Sequence, residues 1–431
     1  MGDQTQEALR VAEIYSSLHR WKEAAAILQL EEGQNSDPWG TSPVFFYTLA
    51  YDLKQAGDQP GASAELKKAR ASEAIVDRFP YLASSEAPLA DAIAASAEDG
   101  LARFDLGCLL YSLARHDEAI RLWEEAAKIK PSEFKVQRAL GLAYAEQGET
   151  QRSIAHLERA VAADGTHLGT INDLVTSYAG AGRFSDELTL LHKSLERAPN
   201  DDDLMLRLLH VDLVQGRYAD AQKLIGQHTF SPRHRDTQLR DEYRSLKYAQ
   251  GSEAYREANY TRALALFHAA ETPPRSLGLD DFQFQSTPKL HYYLGRTLEA
   301  LGRKSEATAA YEQSVKEVDL TSGDRATYNS ESFFMLLSLD RLGRSEEAGK
   351  LAQKFSAFAE SQRLLKRAHR RAEGQYLLAL DASRRGLADE AARLREESLK
   401  IEPDFLAPRF DERGDSVSQE RVVKPQRAAT P

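Results

Sequence analysis

A constant spacing of small residues constrains this chain more than any other feature of its sequence. Four such residues lie 34 positions apart: Ala114, Gly148, Gly182 and Gly216. Residue types that end or interrupt helices stand 17 positions after the first three: Pro131, Gly165 and Pro199. A period of this length is typical of supersecondary units that bury a continuous core only by stacking. It predicts an uninterrupted array over residues 100–133, 134–167, 168–201 and 202–228, with the last unit shortened.

Each unit has the pattern of two amphipathic helices separated by a short turn. In the first unit, Leu106 and Leu110 precede the turn, while Ala119 and Trp123 follow it, all at helical spacing. A proline ends the second helix because its ring clashes with the preceding turn and it lacks an N–H donor. Every unit is therefore expected to be a helix pair with one apolar face on each helix.

Small residues inside the units predict close contacts between the two helices of a pair. Gly107 and Gly141 lie on first helices, where a missing side chain lets a second helix approach, and aromatic side chains such as Trp123 fill the remaining space. Glycine at the turn can adopt the left-handed conformation that closes a helix. The pattern accordingly predicts an all-α fold of about twenty helices without a sheet.

These segments resemble a known family. DLGCLLYSLARHDEAIRLWEEAAKIKP (105–131) and ALGLAYAEQGETQRSIAHLERA (139–160) resemble tetratricopeptide (TPR) repeats. The pattern of Leu-Gly, an aromatic residue or Leu, turn Gly, Ala, an aromatic residue, Ala and Pro is matched across several units. The resemblance implies a right-handed α-solenoid of about ten TPR-like helix pairs, with the first helices lining the concave side. Such arrays present an extended groove to peptides or partner helices.

The organisation along the chain follows from where the period holds. We expect N-terminal TPR-like helix pairs at 5–70, an irregular insert at 71–99 with an extra helix around 86–95, and the regular array at 100–228. Further helix pairs are expected at 229–404, with longer helices or loops and a long loop at 271–289 that contains three prolines. Residues 405–431 lack periodicity and are expected to form a disordered tail.

Composition excludes several functional classes. The net charge is −10 and the pI is about 5.7, which argues against a dedicated nucleic-acid binder. Cys108 is the only cysteine, so an intrachain disulfide or a Cys-rich zinc site cannot form. The chain contains no run of 18 apolar residues, and its first ten residues lack the apolar centre of a signal peptide. We therefore expect no membrane insertion and a cytoplasmic protein.

The sequence contains none of the motifs that carry common enzymatic chemistry. It has no GxxxxGK[ST] loop, no HExxH and no GxSxG. The eleven histidines are dispersed and do not have zinc-ligand spacing. No catalytic residue, no metal site and no cofactor are expected, and the chain is predicted not to be an enzyme.

Two functions from different classes remain. The first is a non-catalytic scaffold that binds a peptide or partner protein in the concave groove. The second follows from a narrower resemblance of SDPWGTSPVFFYTLAY (36–51) and HYYLGRTLEALG (291–302) to the helical C-terminal half of large bacterial proteins. In those proteins a β-rich, carbohydrate-active-looking domain of unassigned function precedes the repeats. The alternative is thus a helical accessory module of a carbohydrate-active enzyme, encoded separately or truncated. RNA binding by a helical-repeat array is disfavoured by the acidic charge.

The candidate binding residues lie on first helices, on the side predicted to face away from the partner helix. They are Tyr111, Arg138, Asn172, Arg207 and His210. The Lys/Asn pattern with which some TPR domains clamp the two carboxylates of a chaperone tail is absent at these positions. Arginine can pair bidentately with a carboxylate, so the set predicts a partner peptide lying across residues 111–210, with polar side chains that are solvated in the free protein. A basic cluster at 363–371 is a second candidate surface, more typical of a solvated helix face than of a binding site.

Overall fold

The computed structural model describes residues 4–34, 42–72, 82–231, 236–272, 274–278, 287–316 and 330–410. The chain forms two compact units, Met1–Ser177 (unit 1) and Tyr178–Pro431 (unit 2). The described residues contain α-helices and short 3-10 turns but no strand. The predicted fold class, an all-α solenoid of TPR-like helix pairs, is confirmed.

Unit 1 contains nine helices, and a tenth helix begins in it. The helices are α1 (Gln4–Ser17), α2 (Trp21–Gln34), α3 (Pro43–Gln55), α4 (Gln59–Ala71), α5 (Glu86–Ala95), α6 (Gly100–Ser112), α7 (His116–Ile129), α8 (Phe134–Glu146), α9 (Thr150–Ala163) and α10 (Leu168–Gly180). α5 occupies the interval that departs from the 34-residue period. It packs against α3 and α6, and its Leu89 and Ala92 are completely buried there.

Unit 2 contains the remaining twelve helices of the described residues. They are α11 (Phe184–Leu195), α12 (Asp202–Val214), α13 (Tyr218–Gln227), α14 (Asp236–Arg256), α15 (Tyr260–Ala269), α16 (Pro288–Ala300), α17 (Lys304–Lys316), α18 (Ser330–Arg341), α19 (Ser345–Arg363), α20 (Ala368–Arg384), α21 (Ala388–Ile401) and α22 (Leu406–Phe410). Apart from α5 and α22, the helices alternate as first and second members of ten pairs. The longer spacing in this part reflects longer helices, since α14 has 21 residues and α19 has 19.

The turn positions adopt the conformation that the repeat pattern predicts. Gly148 has φ of 76°, and Ala114, at the equivalent position one period earlier, has φ of 61°. The left-handed region costs a residue with a Cβ about 1–2 kcal/mol, so the fold imposes this conformation even where the residue is not glycine. The turn geometry is therefore a property of the repeat and not of one residue type.

Glycines inside first helices allow the two helices of a pair to touch. A Cβ on Gly107 would lie 2.4 Å from Nε1 of Trp123, and a Cβ on Gly141 would lie 2.6 Å from Cγ of Leu157. The Trp123 indole also donates a hydrogen bond to the Phe104 carbonyl oxygen at 3.1 Å. These contacts are the close approaches that the glycine positions predicted, with Leu157 in place of an aromatic ring at Gly141.

Two segments that the sequence suggested were irregular contribute to the core of unit 2. In the interval 271–289, residues 275–277 form a 3-10 turn whose Leu277 is buried, and Ser276 accepts a hydrogen bond from the Phe230 amide at 2.9 Å. The expectation of a disordered tail from residue 405 onwards is wrong for residues 405–410, because α22 packs against α12 and α21. Residues 411–431 lie outside the described part of the chain.

Candidate functional site

Tyr111 lies on α6 with its ring turned towards α7, the second helix of the same pair. The ring stacks on His116 with centroids 4.3 Å apart and contacts Trp123 at 5.2 Å. Its hydroxyl donates a hydrogen bond to the Glu146 carboxylate on α8, and burial together with this bond raises the pKa of Tyr111 to about 12. The expectation that Tyr111 faces away from its partner helix is therefore wrong. Its side chain connects α6 both with α7 and with α8.

Arg138 and Asn172 lie on consecutive first helices and are both partly exposed. Arg138 on α8 donates from Nε to Oδ2 of Asp173 on α10 at 2.6 Å, with 26% of its side chain exposed. Gly169 leaves space beside the guanidinium, since a Cβ there would lie 3.4 Å from Nη2 of Arg138. Asn172 makes no side-chain hydrogen bond to the described residues. These two residues therefore present donors at the surface, and Arg138 is held in place by Asp173.

A cleft of about 310 Å³ opens beside this surface in unit 1. Its lining combines two aromatic rings with three cationic side chains and one carboxylate: Arg70, Ser72, Gly100, Leu101, Phe104, Ala126, Lys130, Glu133, Phe134, Lys135 and Val136. Lys135 and Arg138 stand one turn apart on α8 and so share a face of that helix. The cleft and the Arg138 surface are therefore neighbouring parts of one face, which we call the unit 1 face.

Buried carboxyl groups organise the charge around the cleft. Asp99 accepts hydrogen bonds from the Tyr47 hydroxyl at 2.8 Å and from Arg70 Nε at 2.7 Å, which fixes the Arg70 guanidinium. Asp105, fully enclosed on α6, has its pKa raised to about 8 by burial and by the Asp99 charge, so it is mostly neutral at pH 7. Asp99 thus holds in place one of the three cationic side chains that line the cleft.

In unit 2, the Nη2 end of Arg207 is buried, contrary to the expected solvated side chain, although 20% of the side chain is exposed. Its Nη2 lies 3.7 Å from Oε1 of Glu187 on α11, which is close enough for an ion pair but too long for a hydrogen bond. Both atoms are buried without a hydrogen-bond partner among the described residues. Burial raises the pKa of Glu187 to about 7, although the Arg207 charge opposes this shift.

His210, one turn further along α12, is enclosed and uses both ring nitrogens. Nδ1 lies 2.5 Å from Oε1 of Glu242 on α14, and Nε2 lies 3.1 Å from the backbone oxygen of Asp404. Both partners are acceptors, so both nitrogens must carry a proton. Burial alone would lower the pKa of His210, but the Glu242 carboxylate outweighs it and raises the pKa to about 9. The imidazolium is therefore a fixed structural cation, contrary to the expected solvated side chain.

The sequence analysis missed the segment that covers His210. Residues 402–410, which we call the return segment, follow α21 and reach α12, 194 positions earlier in the chain. The signal available in the sequence was the apolar run Phe405-Leu406-Ala407, which is unusual in a disordered tail. The contact of this segment with His210 joins residues 194 positions apart, and the 34-residue period does not indicate it.

The basic cluster at 363–371 does not form one helix face. Arg363 ends α19, α20 begins at Ala368, and the residues between them form a turn. Arg363 pairs with Glu360, and Arg370 pairs with Glu373 at 2.9 Å. Local carboxylates thus neutralise part of the cluster, and its role as a binding surface stays a prediction.

Within the described ranges, no three His, Cys, Asp or Glu residues are grouped so that they could hold a metal ion. In the same residues, no helix combines the length and the apolar character that crossing a membrane requires. In each unit, carboxylates hold a cationic side chain in place: Asp173 holds Arg138 in unit 1, and Glu242 holds His210 in unit 2.

Comparison with known proteins places a repeat in this chain. Residues 288–317, which include α16 and α17, match the family model described as Tetratricopeptide repeat. No curated protein matches the chain. The narrower resemblance to β-rich, carbohydrate-active-looking proteins stays a prediction.

Several solved structures are similar to parts of the chain. One is YrrB, described as a TPR protein with an unusual peptide-binding site, with 14% identity over 55% of this chain and 93% of that one, and a TM-score of 0.29. A tetratricopeptide repeat protein from Parabacteroides merdae has 14% identity over 70% of this chain and 100% of that one, with a TM-score of 0.30. The structure of Naa15/Naa10 bound to HypK-THB has 13% identity over 96% of this chain and 61% of that one, with a TM-score of 0.39.

Proposed function

We propose that this chain is a non-catalytic protein-interaction scaffold whose unit 1 face binds an extended acidic segment of a partner protein. The observation that supports this function best is the cleft beside α6 and α8, whose lining combines apolar side chains with three cationic ones. Clefts of this size, lined by aromatic rings and a few placed charges, are the usual form of a binding site. The partner is therefore expected to carry an apolar anchor flanked by carboxylates.

The cleft and the Arg138 surface have complementary tasks in this proposal. The apolar anchor lies against Phe104 and Phe134, which line the cleft. Carboxylates before or after the anchor pair with Lys130 and Lys135 at its mouth. Arg138 uses only Nε for Asp173, so its remaining N–H groups can bind a further carboxylate of the same segment.

Selection from a displayed library of random dodecapeptides on the intact chain tests this function. The expected result is enrichment of peptides that place an aromatic or aliphatic residue beside Asp or Glu. The variant Lys130→Glu/Lys135→Glu should bind the selected peptides at least tenfold more weakly, about 1.4 kcal/mol. The matched control is Lys67→Glu/Lys128→Glu, which changes the charge equally at exposed residues outside the cleft lining.

Two results would contradict the proposal. If no acidic peptides are enriched, the unit 1 face does not select carboxylates. If both double variants weaken binding equally, attraction to the overall charge and not the cleft is responsible. The single change Arg138→Ala separates the two parts of the face, because it leaves the cleft intact and should cost up to tenfold in affinity.

A further inference from the structure

The return segment connects the two ends of unit 2. Its first residue, Glu402, contacts His369 on α20, with a carboxylate oxygen 2.8 Å from Nδ1. Two residues later, the Asp404 carbonyl oxygen lies 3.1 Å from Nε2 of His210 on α12. Pro403 approaches the turn before α11, since a Cβ on Gly182 would lie 3.7 Å from Cβ of Pro403. The segment therefore lies across helices that are about 200 residues apart in sequence.

Two side chains of α22 contact the early helices of unit 2. Leu406 packs against the apolar cluster that α12, α13 and α14 form. The Arg409 guanidinium lies over the Phe184 ring on α11, with Cζ 4.9 Å from its centroid. Leu406 and Arg409 are three residues apart and so share one face of the helical turn. The segment thus presents a carbonyl, an apolar side chain and a cation to α11, α12 and α14.

The surface beneath the segment carries charges that are not fully satisfied. Oε1 of Glu187, Nη2 of Arg207 and Oε2 of Glu242 are buried and have no hydrogen-bond partner among the described residues. Buried polar groups without a hydrogen-bond partner are costly, and folded proteins keep few of them. None of the three atoms receives a hydrogen bond from the return segment, so a different occupant of this surface would gain by pairing them.

The segment is held by packing on its α20 side, where Phe405 contacts the rings of His369 and Tyr376. Of residues 402–409, only Pro408 is buried, and the others are partly exposed. Its Asp404 carbonyl oxygen accepts the hydrogen bond from His210 on α12, and the Arg409 side chain donates to the Pro403 carbonyl oxygen at 2.8 Å. A short segment of this kind can be displaced without unfolding the helix pairs around it.

We propose that the return segment is a releasable internal ligand, and that α11, α12 and α14 beneath it form a second peptide-binding surface. Its partner is a peptide with the chemistry of the segment: a backbone carbonyl for His210, a Leu-like side chain for the Leu406 position, and an Arg three residues later for Phe184. In the closed chain this surface is occupied, so a partner peptide must compete with residues 402–410.

A fluorescently labelled peptide of residues 402–410 tests the proposal by anisotropy on the intact chain. In the variant Gly182→Cys/Pro403→Cys, the Cβ separation of about 3.7 Å is within the range of a disulfide. The equivalent turn position holds Ala114, so a residue with a Cβ is tolerated there. Oxidation with diamide should abolish peptide binding, and dithiothreitol should restore the wild-type affinity. The single variant Pro403→Cys controls for the oxidant.

The opposite change should open the surface. Leu406→Ala/Arg409→Ala removes the contacts of these two side chains with the early helices of unit 2, so the internal segment competes less and the peptide should bind at least tenfold more tightly than to wild type. The matched control is Leu387→Ala/Arg393→Ala, which alters exposed residues on or just before α21 that do not contact α12. In the opened variant, His210→Gln should reduce the affinity again.

The outcomes separate this proposal from the function of unit 1. Equal peptide affinity in the oxidised, wild-type and opened proteins would overturn it, and so would an absence of binding to the opened protein, because the segment would then be a permanent structural cap. Lys130→Glu/Lys135→Glu should leave binding of this peptide unchanged. A failure at one surface therefore does not imply a failure at the other.

Discussion

The same substitution should have opposite effects at two helical glycines of unit 2. Gly295 on α16 faces α17, and a Cβ there would lie 2.5 Å from Cε1 of Tyr311. Gly349 is inside α19, where a Cβ would meet nothing within 4 Å. We expect Gly295→Ala to destabilise the protein and Gly349→Ala to stabilise it, although both changes add one methyl group to a helix.

The magnitudes follow from what each methyl group meets. Carbon atoms prefer separations of about 3.5–4.0 Å, so Ala at 295 requires a displacement of about 1 Å. Tyr311 cannot move easily, because it is 3% exposed and its hydroxyl donates to Glu299 at 2.9 Å. Overpacking of this kind costs about 1–3 kcal/mol. Gly349→Ala instead gains about 0.5–1 kcal/mol, because alanine loses less backbone entropy in a helix.

Urea unfolding followed by far-ultraviolet circular dichroism measures both changes. Tryptophan fluorescence provides a reference for unit 1, since Trp21, Trp39 and Trp123 all lie there. The second change Tyr311→Leu should offset part of the cost of Gly295→Ala, and a double-mutant cycle gives the coupling energy. Equal effects of the two alanine substitutions, or a coupling energy of zero, would refute the assignment of Gly295 and Tyr311 as a packing pair.

Three further predictions concern buried side chains. Trp123→Ala removes a ring that fills the space beside Gly107 and should cost about 3–5 kcal/mol of unfolding free energy in urea titration. Asp105 has its pKa raised by burial to about 8 from 3.8, so the wild type loses stability as the pH rises through this window. Asp105→Asn should then unfold at higher urea than wild type at pH 8.5 and similarly at pH 4. Burial lowers the pKa of His210 and the Arg207 charge opposes protonation, but Glu242 and Asp404 outweigh both and raise the pKa to about 9 from 6.5; Glu187 is a further charged group nearby. The stability it adds is complete below about pH 6.5 and is lost as the pH rises through about 9, a decline that His210→Gln should not show.

Local contacts were predictable from the sequence because each is encoded within one repeat. Gly107 and Trp123 are 16 residues apart, as are Gly295 and Tyr311, and the small and the large residue of each pair occupy the same places in their units. A spacing of this kind determines the contact once the helix–turn–helix unit is assumed. The prediction of ten helix pairs and of close approaches at Gly107 and Gly141 was confirmed for this reason.

Contacts between different repeats were not predictable in the same way. Nothing in the spacing of α12 indicates that His210 meets Asp404, because a single sequence carries no information on which distant elements come together. The same applies to Arg138 and Asp173, which are 35 residues apart, one residue more than the period. Periodicity placed these polar residues on first helices, but it did not indicate which of them would be paired.

The candidate binding residues of the two units differ in their surroundings, so the hypothesis of one peptide lying across residues 111–210 is replaced by two separate surfaces. In unit 1, Arg138 and Asn172 remain partly exposed beside a cleft, and Asp173 orients the guanidinium without using all its donors. In unit 2, His210 lies between Glu242 and the return segment, and the Nη2 atom of Arg207 is buried beside Glu187 although 20% of its side chain is exposed. A peptide that binds unit 1 meets exposed cations, whereas one that binds unit 2 must first displace a segment of the same chain. The first surface should therefore depend mainly on the charge of the partner, and the second mainly on whether residues 402–410 are released.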